Sequence, residues 1–453
     1  MNSSPATDRK SRAASPTARD GGTSLFNSVT RGPIKRLVCS ALFIAAAALA
    51  VRLAVLYLVW HRAAPADFSG PFGYEAGCVA KSIASGKGFS SPLPLVETGL
   101  TAYLCPIYPY LLGGIFKIWG IYTFKSHVVA QALNCLFSAL TVVPIYAVAK
   151  RSFGLGTAAL ASWLWVIFPN AWHIPIAYVW DTSLTALWFA LLLWATFALR
   201  ERRRIVAWVG YGALWALGAL INATILSVMP FFFLWLVWQA REQSRRWLLS
   251  VLVAALVTIG GIGSWTIRNY RVFGEFIPLR SNLGLMLWLG NNPGPVGVDA
   301  VVQTAVYNRS EADAYKRMGE LPYMQLHQRK ALSFIRSHPG VTLKRSASRV
   351  FGYWLNVTDR SHDHLSSDPL YVKALFLLNA AYVLFAWLGA GMALRSRNRY
   401  AALYVAILLV FPLVYYLTEA TVRYRFPMAP ILTILAVYGA CCVMAPSVVG
   451  NPN

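Results

Sequence analysis

The stretch TSLTALWFALLLWATFALRERRR at residues 182–204 decides the fold. Its first eighteen residues carry no charge, and four of the last five are arginine. An apolar run of roughly 20 residues suits a helix that crosses the hydrocarbon of a bilayer. A compact basic cluster directly after such a run suits the cytoplasmic end of that helix. The sequence therefore predicts a membrane-spanning helix here.

The composition extends this prediction to the whole chain. Of its 453 residues, 57% are hydrophobic and only 13% are charged, whereas soluble domains are about a quarter charged. We therefore predict an all-α polytopic membrane protein, a bundle of about ten transmembrane helices with surface helices in the first outer loop and a long outer segment. The other nine apolar runs are 37–60, 126–149, 155–174, 205–222, 223–240, 247–264, 371–394, 400–418 and 424–445.

The net charge of +24 comes largely from basic residues in short clusters between the apolar runs. This distribution indicates the membrane topology and does not indicate nucleic-acid binding. The ambiguous run 106–119 is short, carries two prolines and has Lys117 near its end, so we expect it to lie in the interface. If it does not cross, every compact basic loop falls in the cytoplasm, as the positive-inside rule requires. Those loops are 150–151, 200–204, 241–246 and 395–399.

This topology divides the chain into regions. We predict a disordered cytoplasmic tail (1–36), a transmembrane core (37–264) that includes the first outer loop (61–125), an outer-face segment (265–370), C-terminal transmembrane helices (371–445) and a tail (446–453). The run after the first tail is too long for a signal-peptide core and reads as a retained span. Cys78 and Cys105 both fall in the first outer loop, where the spacing leaves a disulfide open.

Two carboxylates stand at predicted helix starts on the outer face. Glu75 opens a short amphipathic helix, 75–86, and Asp181 precedes the span that begins at residue 182. Each suits a general base where a lipid headgroup meets a polar acceptor. The structural alternatives are that Glu75 stabilises a helix N-terminus and that Asp181 caps one.

Three further residues of the outer loops are secondary candidates. Glu97 could contact the acceptor or a metal, and its alternative is a solvated loop acid. Tyr74 stands beside Glu75, in the same first loop. His173 lies near the second outer turn, where it could contact substrate or simply pack.

A basic signal appears in two outer segments, SWTIRNY at 264–270 and TVRYRFP at 421–427. These clusters lie on the face where the positive-inside rule does not place them. Arginine binds phosphate oxygens in a bidentate manner and stacks on aromatic rings. Arg268, Arg423 and Arg425, with Tyr424, therefore suit a lipid phosphate, and the alternative is general attraction to anionic lipid.

Taken in order, these segments resemble one family. GYEAGCVAKSIASGKGFSSP, TAYLCPIYPYLLGGIFKIWG, YVWDTSL, WTIRNYRVFGEFIPLRSNLG and VRYRFPMAPILTILAVYG are similar to bacterial members of glycosyltransferase family 39. This is the protein O-mannosyltransferase-like branch of the GT-C membrane transferases, which includes the aminoarabinose transferase of lipid A. The resemblance covers residues from about 37 to 445.

The resemblance implies a polyprenyl-phosphate-sugar donor that is used on the outer face of a bacterial plasma membrane. It places Glu75 and Asp181 at the family's two acidic positions, and Arg423, Tyr424 and Arg425 at its Arg-Tyr-Arg. We expect inverting transfer to a lipid, glycan or protein hydroxyl, with one carboxylate as base and the arginines on the phosphate. No cofactor is required, and a divalent metal ion near the two carboxylates is an open alternative.

The main rival is a transporter or flippase of a lipid-linked sugar. It predicts charges deep within the spans or two symmetric halves. The sequence shows few mid-span charges beyond Arg52 and no paired halves. The identity of the sugar, the acceptor and the length of the lipid chain do not follow from the sequence.

Overall fold

The computed structural model describes residues 38–61, 70–199, 204–239, 246–294, 296, 301–355 and 370–444. Within these ranges the chain is helical, and its only β-type pairing is an isolated bridge between Ser90 and Leu100. The predicted all-α fold is therefore confirmed. The two predicted tails, 1–36 and 446–453, lie outside the described residues.

The described residues form a succession of helices joined mostly by short connections. Two short 3₁₀ segments, Ala223–Ser227 and Phe426–Met428, join consecutive helices. The α-helices are α1 (Ala41–His61), α2 (Tyr74–Ala84), α3 (Ile107–Trp119), α4 (Phe124–Leu140), α5 (Val142–Phe153), α6 (Leu155–Ile167), α7 (Pro169–Ala177), α8 (Thr182–Leu199), α9 (Ile205–Ile221), α10 (Met229–Gln239), α11 (Arg246–Phe273), α12 (Leu283–Gly290), α13 (Arg309–Met318), α14 (Glu320–Ser337), α15 (Pro339–Leu355), α16 (Leu370–Arg395), α17 (Ala401–Val410), α18 (Leu413–Leu417), α19 (Val422–Arg425) and α20 (Ala429–Met444).

Each of the ten predicted apolar runs coincides with an apolar helical segment. Six segments are long and apolar enough to cross a membrane, and four shorter apolar helices complete the set. The chain is therefore a multi-pass membrane protein. The long segments are Ala41–His61, Phe124–Phe153, Thr182–Leu199, Trp247–Phe273, Lys373–Arg395 and Arg423–Met444, and the shorter ones are Leu155–Ile167, Ile205–Ile221, Met229–Gln239 and Ala401–Leu417.

The ambiguous run 106–119 forms the 13-residue helix α3, which packs against α2. At 1.5 Å per residue its length is about 20 Å, less than the roughly 30 Å of the hydrocarbon. Helix α6 of a predicted span is equally short, so the location of the run 106–119 in the interface stays a prediction.

Helix α11 is longer than the apolar run that predicts it. The run ends at residue 264, but the helix continues to Phe273 and ends at Gly274, which has a positive φ of 69°. Thr266 and Asn269 lower the local hydropathy, but residues 264–273 contain neither proline nor glycine, so the helix continues to Gly274. The segment 264–270 is therefore the last part of a helix and does not open the following segment.

Two apolar cores lie in the described residues. The larger core contains residues of α1, α4 to α10, α16, α17 and α20. The smaller core joins α2 and α3 to residues of α12, α13 and α14. Residues of both cores, Leu104 and Tyr415 among them, line the cavity described below.

One charged side chain is fully buried among the apolar helices. Arg52 in α1 donates from Nε to Ser138 Oγ and to the Ala171 carbonyl, both at 3.0 Å. Its Nη1 donates to the Ala48 carbonyl at 2.9 Å, and its Nη2 to the Trp165 carbonyl at 3.0 Å. These bonds tie α1 to α4, α6 and α7, so Arg52 has a structural role.

Candidate active site

A cavity of about 430 Å³ lies where five parts of the chain meet. Its wall combines the start of α8, the 3₁₀ segment after α9, the approach to α3, the segment before α12, and the connection from α18 to α20. The polar lining residues are Cys105, Tyr108, Asp181, Thr182, Asn222, Thr224, Ser227, Arg280, Asn282, Tyr415, Thr418, Glu419, Arg423 and Tyr424.

Asp181 stands immediately before α8 and lines this cavity. Its backbone carbonyl accepts from the Thr185 amide at 2.8 Å, and its carboxylate Oδ2 accepts from Asn222 Nδ2 at 2.9 Å. Burial raises the pKa of Asp181 to about 6, against the opposing effects of Arg280, the Asn222 hydrogen bond and Arg423. The carboxylate is therefore mostly ionised at neutral pH.

Glu75 stands in the first turn of α2, after a sharply bent stretch of chain. Gly73 and Tyr74 both have positive φ, at 82° and 48°. A Cβ at Gly77 would lie 1.9 Å from the Phe72 carbonyl oxygen, so only glycine fits there. The glycines of the FGYEAG segment thus allow α2 to begin close to the cavity. Ala76, the residue after Glu75, lines that cavity.

The Glu75 carboxyl is also charge-coupled to the cavity wall. Burial raises its pKa, and the charges of Arg423 and Arg280 oppose that rise. The same two arginines act on Asp181. The two carboxylates therefore share one electrostatic environment, although they come from segments about 100 residues apart.

Arg423 is held in a cage of three aromatic rings. Its guanidinium carbon lies 5.1 Å from the ring centre of Tyr424, 5.4 Å from that of Trp180 and 5.6 Å from that of Tyr74. Its Nη2 also donates to the Tyr424 hydroxyl at 3.3 Å. Such cation–π contacts fix a guanidinium without neutralising its charge, so Arg423 remains able to bind an anion.

Two charged residues of the wall, Arg280 and Glu419, are not among the residues predicted from the sequence. Arg280 lines the cavity, and its Nε donates to Asn282 Oδ1 at 2.7 Å. Glu419 lines it four residues before Arg423. The available signals were a lone arginine between leucine and serine in IPLRSN and an acid in the final turn TEATVRYR.

Two predicted phosphate-binding arginines lie elsewhere. Arg268 donates from Nη1 to the Thr101 carbonyl at 2.6 Å and from Nη2 to the Phe89 carbonyl at 3.1 Å. Arg425 is buried and donates to the Trp354 carbonyl and to Asn379 Oδ1. Neither arginine lines the cavity. We therefore leave both out of the candidate site.

The secondary candidates divide in the same way. Tyr74 contacts Arg423, as described above. Glu97 is exposed and forms an ion pair with Lys87 at 2.6 Å, and that lysine lowers the pKa of Glu97. His173 is exposed beside Trp172. Glu97 and His173 are not among the residues of the cavity wall.

A separate group of bonds, which we call the loop clamp, fixes one side of the wall. The buried carboxylate of Glu320 accepts from Thr101 Oγ1 at 2.5 Å, the Ala102 amide at 2.9 Å, Ser281 Oγ at 2.6 Å and the Tyr315 hydroxyl at 2.9 Å. Arg268 completes the loop clamp through the Thr101 carbonyl. Because Ser281 follows Arg280, the clamp holds that arginine at the wall.

The cysteines and carboxylates of this region form neither a disulfide nor a metal centre. Cys78 and Cys105 are free thiols, and burial raises the pKa of each to about 11. Among the described residues, no group of three or more His, Cys, Asp or Glu side chains is placed to hold a metal ion. Divalent cations need several oxygen ligands, so we propose no step through a metal.

Comparison with known families bears out the predicted resemblance. Residues 104–265 match the family model described as dolichyl-phosphate-mannose-protein mannosyltransferase. This range, about a third of the chain, contains Asp181 and Asn222 but not Glu75, Arg280 or Arg423. No curated protein sequence matches the chain.

Solved structures show a shared fold at low sequence identity. The oligosaccharyltransferase AglB of Archaeoglobus fulgidus, in complex with an inhibitory peptide and a dolichol-phosphate, aligns with a TM-score of 0.53 and 16% identity over 90% of this chain and 50% of that one. The same organism's enzyme in complex with Zn and sulfate gives 0.54 and 14% over 90% and 54%. The chain thus spans about half the length of these structures and shares their helical fold.

A third solved structure covers more of its own chain but superposes poorly. ArnT from Cupriavidus metallidurans, bound to undecaprenyl phosphate, aligns with a TM-score of 0.34 and 14% identity over 88% of this chain and 79% of that one. A score this low does not indicate a common arrangement of the helices.

Proposed function

We propose that the chain is a glycosyltransferase that moves a sugar from a polyprenyl-phosphate-linked donor to a hydroxyl of a lipid, glycan or protein. The observation that carries the proposal is the wall of one cavity, where an ionised carboxylate and two arginines lie together. A base for the acceptor and cations for a phosphate leaving group are the two requirements of this transfer. The family match and the shared fold support the same reaction class.

Asp181 is the carboxylate that the geometry favours as the base. It lines the cavity, and its pKa of about 6 leaves it ionised at neutral pH while keeping it basic enough to take a proton. Glu75 follows Tyr74 of the aromatic cage, and its negative charge favours the charged form of Arg423. We assign Glu75 to holding that arginine.

The proposed reaction is a single displacement. The acceptor hydroxyl gives its proton to Asp181 as its oxygen forms a bond to the anomeric carbon of the sugar. The bond from that carbon to the phosphate oxygen breaks, and its electron pair leaves with the polyprenyl phosphate. Because attack comes from the face opposite the leaving group, the anomeric configuration inverts.

Arg423 and Arg280 are the proposed ligands of the phosphate. The planar guanidinium group binds two phosphate oxygens at once, and it strengthens its hold as charge develops on the leaving group. The aromatic cage of Arg423 and the Asn282 hydrogen bond of Arg280 fix the two side chains before the donor binds. Little energy is then lost to ordering them.

The cavity is proposed to face outward from a bacterial plasma membrane. Asp181 stands at the N-terminal end of α8, and the basic loop 200–204 follows the other end of the same helix. The positive-inside rule places that loop in the cytoplasm. The cavity end of α8 is then on the periplasmic side, where lipid-linked sugars would be used.

A transporter or flippase of lipid-linked sugars is the weaker alternative. Such a protein needs polar groups along a path through the bilayer. In the described part of the chain, the cavity charges stand at helix ends, and mid-span Arg52 is engaged in four hydrogen bonds. No feature of the site specifically favours transport.

The proposal is tested by supplying the reconstituted protein with radiolabelled polyprenyl-phosphate sugars and a cell-envelope acceptor fraction. Asp181→Asn should lower kcat by about 10²–10⁴-fold, the usual contribution of a general base. Donor binding should be retained, because the arginines remain. Glu75→Gln should mainly raise the KM for the donor.

Glu97→Gln is the matched control, since it neutralises an exposed acid outside the cavity. Its kcat should equal that of the wild type. Full turnover by Asp181→Asn would exclude this residue as the base. A folded wild type that neither binds nor uses any polyprenyl-phosphate sugar would exclude the proposed function itself.

A further inference from the structure

Three side chains form a hydrogen-bonded chain that leads along the cavity wall to Asp181. The Tyr415 hydroxyl donates to Thr224 Oγ1 at 3.2 Å, and Thr224 Oγ1 donates to Asn222 Oδ1 at 2.7 Å. Asn222 Nδ2 then donates to Asp181 Oδ2 at 2.9 Å. All four residues line the cavity. Every donor in this chain, which we call the relay, is directed towards the carboxylate.

The relay has a fixed direction because the Asn222 amide has only one suitable orientation. Its oxygen accepts from both the Thr224 backbone amide at 3.0 Å and the Thr224 hydroxyl, so it caps the 3₁₀ segment. An amide oxygen is an acceptor and an amide nitrogen is a donor. With the oxygen engaged in the cap, the NH₂ group must face Asp181.

The far end of the relay lies beside the proposed phosphate site. The Tyr415 ring stacks on the Tyr424 ring, with 4.9 Å between centres and 13° between planes. Tyr424 in turn accepts a hydrogen bond from Arg423 and stands in its cage. The relay therefore spans the cavity from the phosphate-binding arginine to the base.

We propose that Asn222 is a positioning residue, which together with Thr224 and Tyr415 holds the Asp181 carboxylate as a base and links its orientation to the arginine that binds the donor phosphate. The proposal rests on the function proposed above. The local structure explains why this set is suited to the task. A charge-assisted hydrogen bond to a half-buried carboxylate such as Asp181 is stronger than a neutral one, and a bonded chain restricts the rotation of each member.

Other groups also face Asp181, from every element around the cavity. Cations lie at the segment before α12 and at α19, and titratable side chains come from the approach to α3, from α3 itself and from α18. The cations are Arg280 and Arg423, and the titratable side chains are, in the same order, Cys105, Tyr108 and Tyr415. Glu419 lies on the same wall. A substitution of Asn222 leaves all of them in place, so its effect reports on the relay.

The test measures the protonation of Asp181 directly. The carboxylic C=O band in the infrared spectrum of the full-length protein is followed against pH and assigned by its loss in Asp181→Asn. In Asn222→Leu the protonation midpoint should rise by about one pH unit, because the ionised form loses a donor. Thr224→Val, a milder change, should raise it less.

Thr185→Val is the matched control. It removes a hydroxyl that bonds the Asp181 backbone carbonyl at 2.8 Å, in the same helix but outside the relay. Its midpoint and its kcat should equal those of the wild type. In the transfer assay, Asn222→Leu should lower kcat about tenfold or more with an unchanged donor KM, since the base is misplaced while the phosphate site remains.

An unchanged midpoint in Asn222→Leu would overturn the relay. A raised midpoint with wild-type kcat in both relay variants would overturn the positioning role and leave the proposed function standing. A wild type that transfers no sugar, together with a raised midpoint, would instead overturn the proposed function and support the hold of Asn222 on Asp181.

Discussion

The cavity wall and the loop clamp both contain an arginine stacked on aromatic rings, but the two regions use the cation differently. Arg423 in the wall lies among Tyr74, Trp180 and Tyr424, and its charge acts on Glu75. In the loop clamp, Arg268 lies against Phe89 and Trp265 and donates to backbone carbonyls. The aromatic rings around the two arginines are similar. The difference lies in the hydrogen-bond acceptors, because the backbone carbonyls that occupy Arg268 make it a structural residue.

Arg423 and Arg425, which are only two residues apart, also differ in their hydrogen-bond acceptors. Arg423 and Arg425 both belong to the short helix α19, where residues two apart point to roughly opposite sides. Arg423 therefore reaches the cavity, whereas Arg425 points to Trp354 and Asn379. An arginine beside an aromatic residue is thus a weak indicator of a phosphate site until its acceptors are known.

Of the arginine substitutions in the two regions, Arg423→Lys is expected to have the largest effect. Lysine keeps the charge but loses the planar, two-pronged contact and much of the aromatic stacking. We expect kcat/KM for the donor to fall about 100-fold or more, with the thermal unfolding temperature unchanged within about 2 °C. Donor titration of the transfer rate and a thermal melt measure the two quantities. Wild-type kcat/KM would remove Arg423 from the phosphate site.

Protonation of Asp181 in the cavity wall should affect activity and stability in opposite ways. Below pH 6 the Asp181 carboxylate becomes protonated, so kcat/KM should fall about tenfold per pH unit. The raised pKa also means that the folded state binds more protons than the unfolded state between the ordinary aspartate pKa of 3.8 and about 6. The contribution of Asp181 to the free energy of unfolding therefore increases as the pH falls through that window.

Transfer rates and chemical denaturation, both measured between pH 5 and 8, test the pH dependence of kcat/KM and of the free energy of unfolding. The contribution of Asp181 to stability is isolated as the difference from Asp181→Asn at each pH. A rate that stays constant down to pH 5 would exclude a base with this pKa.

The smallest effect on activity is expected for Arg268→Lys, the same substitution in the loop clamp. It loses part of the fork that binds the Thr101 and Phe89 carbonyls, at a cost of about 1–2 kcal/mol. The unfolding temperature should fall by a few degrees, while kcat/KM of the folded protein stays within about threefold. If the donor KM rises as much as in Arg423→Lys, Arg268 binds phosphate, as the sequence pattern first indicates.

The sequence predicts those parts of the fold and the site that depend on local properties. Hydropathy locates the apolar helices, and the ends of those runs indicate Asp181 and Arg423. It places the end of α11 too early, because Thr266 and Asn269 interrupt the apolar pattern without ending the helix. Helix propagation requires only backbone bonding, and it stops at Gly274.

The rest of the site depends on contacts between distant segments. Arg280 and Asn222 lie in unremarkable loop sequences, and only the packing of the first loop, α8 and the later helices brings them to one wall. Arg280 bonds to Asn282, which is close in sequence, whereas Asn222 bonds to Asp181, which is 41 residues away. Hydrophobic periodicity predicts local secondary structure and does not predict contacts between such distant segments.

The buried arginine of α1 has a consequence for how the chain is made. Arg52 lies in α1, which is synthesised before α4, α6 and α7, but three of its acceptors belong to Ser138, Trp165 and Ala171 of those later helices. An unpaired arginine at the centre of an inserting helix costs about 2.5–3.5 kcal/mol. The hydrogen bonds of Arg52 are therefore complete only after some 120 more residues have been synthesised and α4, α6 and α7 have packed against α1.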